Sequence, residues 1–446
     1  MNFRKVLLAI TALVMALCLS GCLIQSADEL YALPVQSDDY YDLQTAINTT
    51  LAGTAQYSSP VSGANQQPVQ MSDLDGDGQD EAIVFVNTGG ARPLKVYVFA
   101  RRGDSYENIC IIEGDGSAFN RVEYAQMDGN AGMEIIIGRQ LSNQILQSIG
   151  AYSIVNGQLV ELISANYSEF TVVDLDQNGN DDLFLLRLDT EARTGFAELY
   201  RCVDGVMERE PELAMSVGIG AVRNVTCGNM SEEQTAVYVG GLTEDSRVVT
   251  DVFYFRNDSF LMTSSESHLR LSSVPVRGYN AYATDIDGDG LVEIPDVVQL
   301  PDADPESGED DYFVIRWYNY SPSAGLTLKE NTYHNYANGW FLRLNDKVGT
   351  KFVVTRGDEV SGTRGLSFCL NQGQGVPGEE IFTLYMFTGS GRNMSANYEG
   401  RFPVGSKGES TFAAKLGSGA QRIGLSQEEL VSMFNFIRID WDSGET

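Results

Sequence analysis

Short apolar runs alternate with Gly-, Asp- and Asn-rich breaks over most of this chain. The first set covers residues 68–72, 82–86, 94–100 and 106–112, and it is rich in Val, Ile, Phe and Tyr. Runs of this length and makeup, bounded by turn formers, predict β-strands. Two kinds of break separate them. One is a nine-residue acidic loop, Asp73-Leu-Asp-Gly-Asp-Gly-Gln-Asp-Glu81, followed at once by an apolar run. The other is a turn dipeptide, Gly103-Asp104, thirty residues after the loop begins.

Both breaks recur. The acidic loop returns as Gln126-Met-Asp-Gly-Asn-Ala-Gly-Met-Glu134, Asp174-Leu-Asp-Gln-Asn-Gly-Asn-Asp-Asp182 and Asp285-Ile-Asp-Gly-Asp-Gly-Leu-Val-Glu293. The origins 73, 126, 174 and 285 are 53, 48 and 111 residues apart, and the last interval is about two periods. A unit with a decayed loop is therefore expected from Cys227 to Thr235, ahead of the run 236–239. The dipeptides Asn156-Gly157, Asp204-Gly205 and Asn257-Asp258 keep the offset of thirty. Asn, Asp and Gly tolerate positive φ, so each reads as a hairpin turn. The fifth unit departs from the spacing, with an acidic insertion at 302–311. Units of 40–50 residues with four strands each predict the blades of an all-β propeller over 67–330: five blades by count, with a sixth allowed from flanking sequence.

The loop chemistry points to calcium, which takes six to eight oxygens in flexible geometry. Carboxylates at positions one, three and five surround one point, a Gly at six permits the turn, and a carbonyl at seven and an acid at nine complete the cage. The first loop supplies Asp73, Asp75, Asp77, the Gln79 carbonyl and Glu81. The third supplies Asp174, Asp176, Asn178, the Asn180 carbonyl and Asp182. The fifth supplies Asp285, Asp287, Asp289, the Leu291 carbonyl and Glu293. The second has Gln126 in place of the first Asp and retains Asp128, Asn130 and Glu134, so its occupancy stays open. The fourth, with Cys, Asn, Ser and Thr at the ligand positions, is expected to bind no metal. About three structural calcium ions follow. An EF-hand needs a bidentate acid at position twelve and a helix after it. Val84 and Leu185 stand there in the first and third loops, and Asp296 in the fifth follows Pro295, ahead of β-like sequence.

On these loops and their apolar runs, residues 67–330 resemble FG-GAP/VCBS-type repeats, as in the integrin α-subunit propeller and bacterial surface proteins. The family's Phe-Gly and Gly-Ala-Pro signatures are missing, and that family commonly closes with seven blades. The resemblance implies a calcium-stabilised propeller.

The N-terminus adds a location. Arg4 and Lys5 precede an apolar stretch from Val6 to Leu19, then Leu19-Ser20-Gly21-Cys22. This resembles a bacterial lipoprotein signal (1–22) in which Cys22 becomes the lipidated first residue; the apolar stretch is short of the ~20 residues that span a bilayer. The expected product is extracytoplasmic and held to the membrane through the lipid on Cys22. The formal net charge is −31, and loss of Arg4 and Lys5 makes the mature chain more negative by two. Such a surface excludes nucleic acid as a partner. Cys110, Cys202, Cys227 and Cys369 lack metal spacing and read as buried thiols, with a Cys202–Cys227 bridge as the alternative.

The flanks are different in kind. Residues 23–66 read as a tether and an amphipathic helix over 37–53, with Leu43, Ile47 and Leu51 on one face. Residues 331–446 read as a C-terminal α+β domain, with strands at 340–344, 351–355, 366–370, 381–387 and 411–416. A helix is expected to open at Ser426 with a Glu429 capping box and an apolar stripe of Leu430, Met433, Phe434 and Ile437. Trp317, Tyr318, Tyr320, Tyr333 and Tyr336 read as core and inter-domain packing more readily than as a ligand surface. Arg102-Gly103-Asp104 and Arg356-Gly357-Asp358 spell an adhesion tripeptide; the first lies on a predicted hairpin turn, and chance and turn chemistry outweigh adhesion. The only histidines are His268 and His334, so a His-based triad is excluded in practice. No catalytic constellation emerges. The reading is a non-enzymatic binding or scaffold module at the cell envelope with a protein or glycan ligand; the alternatives are a surface glycan-active enzyme and a subunit of an envelope assembly.

Overall fold

The structure is a computed structural model that describes residues 38–51, 53, 55–141, 147–244, 247–264, 281–301, 312–360 and 363–438. The leader with Cys22, most of the tether, His268 and the 302–311 insertion lie outside the described residues. The described chain is mostly β, arranged as six antiparallel sheets of four or five strands that follow one another in sequence order.

The first sheet shows how a unit is built. Val69–Ser72 pairs with Glu81–Asn87 across the first acidic loop, then Leu94–Arg102 and Ser105–Gly114 follow as a meander. The second and third sheets repeat the plan with Glu134–Gln140 and Asp182–Asp189 after their loops. The dipeptides close the hairpins as expected. Val155 pairs with Gln158 across Asn156-Gly157, and Val203 with Val206 across Asp204-Gly205, all four turn residues at positive φ. Arg102-Gly103-Asp104 spans one of these turns, whereas Arg356-Gly357-Asp358 lies inside the strand Phe352–Val360.

Burial explains why the run after each loop is continuously apolar rather than alternating. Ile83 and Phe85 pack toward Phe119, Val122 and Ile137 of the second sheet. Ala82, Val84 and Val86 point the other way, against Ile47 and Leu51 of the helix Asp38–Leu51. A strand covered on both faces has no polar side to show. The same holds down the chain. Ile136 and Ile149 meet Leu183 and Leu185, Phe184 and Leu186 meet Val237 and Phe253, and Tyr238 and Val252 meet Ile294. Tyr333 and Trp340 then meet Phe352, Phe368 and Phe382 of the sixth sheet. Among the described residues no core cluster joins the sixth sheet to the first; the N-terminal helix covers the first sheet's remaining face. No helix among the described residues is long and apolar enough to cross a membrane.

Several expectations need correcting. The fourth unit has no nine-residue loop: Ile219–Ser231 turns into Gln234–Thr243 through Glu232-Glu233 alone. The strand Gly325–Asn335 runs through the expected boundary at 330. Trp340–Arg343, read as the opening of the C-terminal segment, pairs with that strand and belongs to the fifth sheet. The helix opening at Ser426 carries the capping box, with Glu429 N–H donating to Ser426 Oγ at 3.2 Å. It stops at Met433, and Phe434–Phe436 becomes the fifth strand of the fifth sheet. Phe402–Lys407, interrupted by Pro403 and Gly405, is an edge strand of the sixth sheet that periodicity did not reveal. The four cysteines among the described residues are free, so there is no Cys202–Cys227 bridge; Cys202 and Cys369 are buried, Cys110 is half-buried and Cys227 is exposed. Trp317 and Tyr333 are core residues, each 2 % exposed.

Candidate metal centres

The four acidic loops share one internal wiring. Position two is an apolar anchor: Leu74, Met127, Leu175 and Ile286 are buried. Position nine begins the following strand in the first three loops and directly precedes the strand Ile294–Gln299 in the fifth, and Glu81, Glu134, Asp182 and Glu293 are buried there too. One oxygen of each closing acid accepts the position-two N–H, at 2.9 Å for Leu74 on Glu81, 2.6 Å for Met127 on Glu134 and 3.0 Å for both Leu175 on Asp182 and Ile286 on Glu293. The anchor and the acid thus hold each other in place, and the acid's second oxygen is left for something else.

The outer half of the loop is a chain of Asx turns. Asp73 accepts the N–H groups of Gly76 and Gly78 at 2.7 and 2.9 Å. Asp174 accepts those of Asn178 and Gly179 at 3.1 and 2.9 Å. Asp285 accepts those of Gly288 and Gly290 at 2.6 and 2.9 Å. Position five in turn accepts from position seven, as Gln79 N–H on Asp77 and Leu291 N–H on Asp289 at 2.8 and 2.9 Å. Gly78, Gly179 and Gly290 at position six have φ near +90°, which is why Gly stands there.

Three carboxylate groupings result: Asp73 with Asp75 and Glu81, Asp174 with Asp176 and Asp182, and Asp285 with Asp287 and Asp289, each with ligand atoms within 4.8 Å of one another. Asp77 is exposed and serves the turn rather than this grouping. Asn178 donates to Asp176 Oδ2 at 2.9 Å. Glu293 is held aside by Asn319, whose Nδ2 donates to it at 2.7 Å. The second loop does not assemble a third acid. Ser153 Oγ instead donates between Asp128 Oδ2 at 3.0 Å and Glu134 Oε1 at 2.9 Å, Asn130 N–H folds onto Asp128 Oδ1 at 2.8 Å, and the Gln126 amide caps the Asn130 carbonyl.

Burial pushes the carboxyl groups of Glu81, Asp182 and Glu293 up to about 7, and that of Glu134 in the same direction. Desolvation disfavours the charged form, and neighbouring acids add to it. A bound divalent cation reverses that cost. Asp182 Oδ1 has no hydrogen-bond partner, although the residue is fully buried. A buried, unpaired carboxylate oxygen facing two other carboxylates fits a hard cation with oxygen ligands. His334 is buried among Trp317, Tyr336 and Phe341, and its imidazole is pushed down to about 3 by that burial. It is core rather than ligand.

The loops also touch one another. The position-eight N–H of one loop donates to the position-one carbonyl of the loop before it: Met133 to Asp73 at 2.9 Å and Asp181 to Gln126 at 2.7 Å. Val292 makes the same bond to Asn229 at 2.8 Å. This puts the fourth unit's origin at Asn229 rather than Cys227, with buried Met230 as its anchor. The loops therefore share one rim of the molecule.

Sequence reasoning missed the residues that face these loops from the next strand. Ala82 pairs with Phe99, Ile135 with Tyr152, Leu183 with Tyr200 and Ile294 with Tyr318. One step on in register, each closing acid meets Ala100, Ser153, Arg201 or Asn319. In the first three units that residue stands nineteen positions after the acid, a regularity the sequence does carry. Lys329 is reached differently. Trp317 pairs with Glu330 but Tyr318 with Leu328, so Lys329 is the extra residue of a β-bulge. Its ammonium lies 2.9 Å from Asp287 and 2.5 Å from Asp289, and these bonds hold it charged.

No protein-family model matches the chain, and no curated protein matches it. Among solved structures, a Lactobacillus plantarum protein is 11 % identical, with 71 % of this chain and 84 % of that one covered at a TM-score of 0.29. An exotype rhamnogalacturonan lyase is 11 % identical over 80 % of this chain and 91 % of its own, TM-score 0.30. A Bacillus licheniformis rhamnogalacturonan lyase is 11 % identical over 74 % and 81 %, TM-score 0.29. Likeness at this level carries no conclusion about chemistry.

Proposed function

We propose that this protein is a calcium-stabilised β-propeller of FG-GAP/VCBS-type repeats, tethered through a lipid on Cys22 outside the cytoplasm, and that it serves as a non-enzymatic binding or scaffold module at the cell envelope. The observation that carries the metal reading is the fully buried Asp182 oxygen, unpaired beside Asp174 and Asp176. The first loop gathers the same three positions in Asp73, Asp75 and Glu81, and the fifth gathers Asp285, Asp287 and Asp289, with Glu293 turned to Asn319. Three such groupings on strand-bounded loops at a near-constant period favour calcium over smaller Mg²⁺, which demands a rigid octahedron and keeps its waters.

The propeller reading is supported by antiparallel sheets that pack face to face in sequence order and by the loop-to-loop hydrogen bonds along one rim. The helix Asp38–Leu51 caps the first blade. The role of the ions is structural. Extracellular calcium modules bind at about 0.1–1 mM, and tenfold excess over the dissociation constant would add about 1.4 kcal/mol per site. A rigid rim held by ions suits presentation of a surface to a partner. The acidic balance of the chain directs that partner away from nucleic acid.

Calcium titration by calorimetry on the mature chain in detergent, with thermal melts in calcium and in chelator, tests the metal reading. About three ions and a melting temperature that falls in chelator are expected. No heat and no shift would remove it. Labelling with a radioactive fatty acid, lost in Cys22→Ser, tests the anchor.

A further inference from the structure

Two of the three acidic loops already hold a cation that belongs to the chain. In the third loop Arg201 Nη1 lies 2.9 Å from Asp176 Oδ2. Its Nε is fixed by Glu210 at 2.6 Å, and the guanidinium stacks 4.4 Å from the Phe255 ring of the next sheet. In the fifth loop the bulge delivers Lys329 onto Asp287 and Asp289. The first loop has neither device. Ala100 stands where Arg201 stands in the third unit, and Ile109 is the bulge residue where Lys329 is in the fifth. Among the described residues no ion pair reaches Asp73, Asp75 or Glu81.

These facts carry a conclusion about ranking. We propose that the chain grades its metal loops with tethered cations, so that the first loop is the tight calcium site and the third and fifth bind calcium weakly, in competition with Arg201 and Lys329. This rests on the metal reading above. The third loop has a ligand demand that Arg201 does not meet: Asp182 Oδ1 is buried and unpaired while the guanidinium serves Asp176. The site is thus part-compensated rather than closed, and a calcium ion entering it either displaces the guanidinium or sits beside it. A divalent ion about 5 Å from a unit positive charge is opposed even at the dielectric of water, enough to weaken binding by roughly tenfold or more. At low calcium the tethered cations would keep the third and fifth loops shaped. At higher calcium they would be released, and Arg201 would leave both Glu210 and Phe255. The upper calcium range is therefore coupled to the contact between the third and fourth sheets.

The test is calcium calorimetry on the full mature chain, comparing wild type with Arg201→Met and Lys329→Met. Wild type is expected to show one tight class and two weaker sites. Each variant should tighten one weaker site by about tenfold and leave the tight one unchanged. Lys329 is partly exposed, so its variant decides the matter if the Arg201 variant fails to fold. Wild-type binding with no change of affinity in either variant would overturn the grading and leave the metal reading standing. Absence of wild-type binding would remove both.

Discussion

Glu81→Gln should stabilise the protein in chelator and lose most or all of that advantage in calcium. Burial lifts the Glu81 carboxyl from 4.5 to about 7. The folded protein therefore holds its proton more tightly than the unfolded chain does. Stability falls as pH rises from about 4.5 to about 7 and is level above that. A gap of that size is worth a few kcal/mol at the very most. The outer half of the loop faces solvent, and screening leaves about 1–1.5 kcal/mol of that. Gln keeps an oxygen for the Leu74 N–H and removes the charge, so in chelator at pH 8 the variant should be more stable by about that amount. Its amide would also donate to Asp73 and Asp75. In calcium the variant loses a ligand and, with it, about 1.4 kcal/mol of site stabilisation at tenfold excess. Urea unfolding of both proteins, in chelator and in calcium, gives the four values needed. A variant weaker than wild type in both conditions would refute the reasoning, because Glu81 would then be only a strut for the loop. Below pH 4.5 the difference in chelator should vanish.

Leu175→Ala, at a fully buried anchor, should cost about 2–5 kcal/mol in chemical denaturation. Gly78→Ala should cost about 1–2 kcal/mol from its φ of +84° alone, since the added methyl meets open space. Gly76→Ala should cost more in the same assay, because its methyl would also lie 2.7 Å from Ala131 and from the Gly132 nitrogen in the second loop. Calcium binding should tighten as pH rises through 7 and release protons, read as a dependence of the calorimetric heat on buffer ionisation; Glu81 and Asp182 are the groups that lose them. Ile47→Ala should cost about 2–4 kcal/mol in urea unfolding, because the helix Asp38–Leu51 rests on the first sheet.

The amino-acid sequence by itself determined the features that close within a few residues. Each acidic loop is held by Asx turns spanning two to five positions, and positive φ at Gly78, Gly179 and Gly290 requires the residue type seen there. The two-residue hairpins at Asn156-Gly157 and Asp204-Gly205 are local in the same sense. Hence the period, the strand runs and the three loops that gather carboxylates were legible in the order of residues alone, but not which acids meet, since Asp77 and Glu293 stand outside the groupings. Tertiary structure decided what arrives from a distance. Arg201 comes to Asp176 across 25 residues and Lys329 to Asp289 across 40, the second through a bulge that no local pattern announces. The fourth unit's origin moves to Asn229 because a neighbouring loop bonds there, and an apolar run alone cannot show a shift of two residues. Phe434–Phe436 leaves its helix because the open edge of Trp340–Arg343 offers hydrogen bonds that the helix end lacks. Strand edges and buried charges are satisfied by whichever group the fold brings near, and nearness in space is what a linear pattern does not contain.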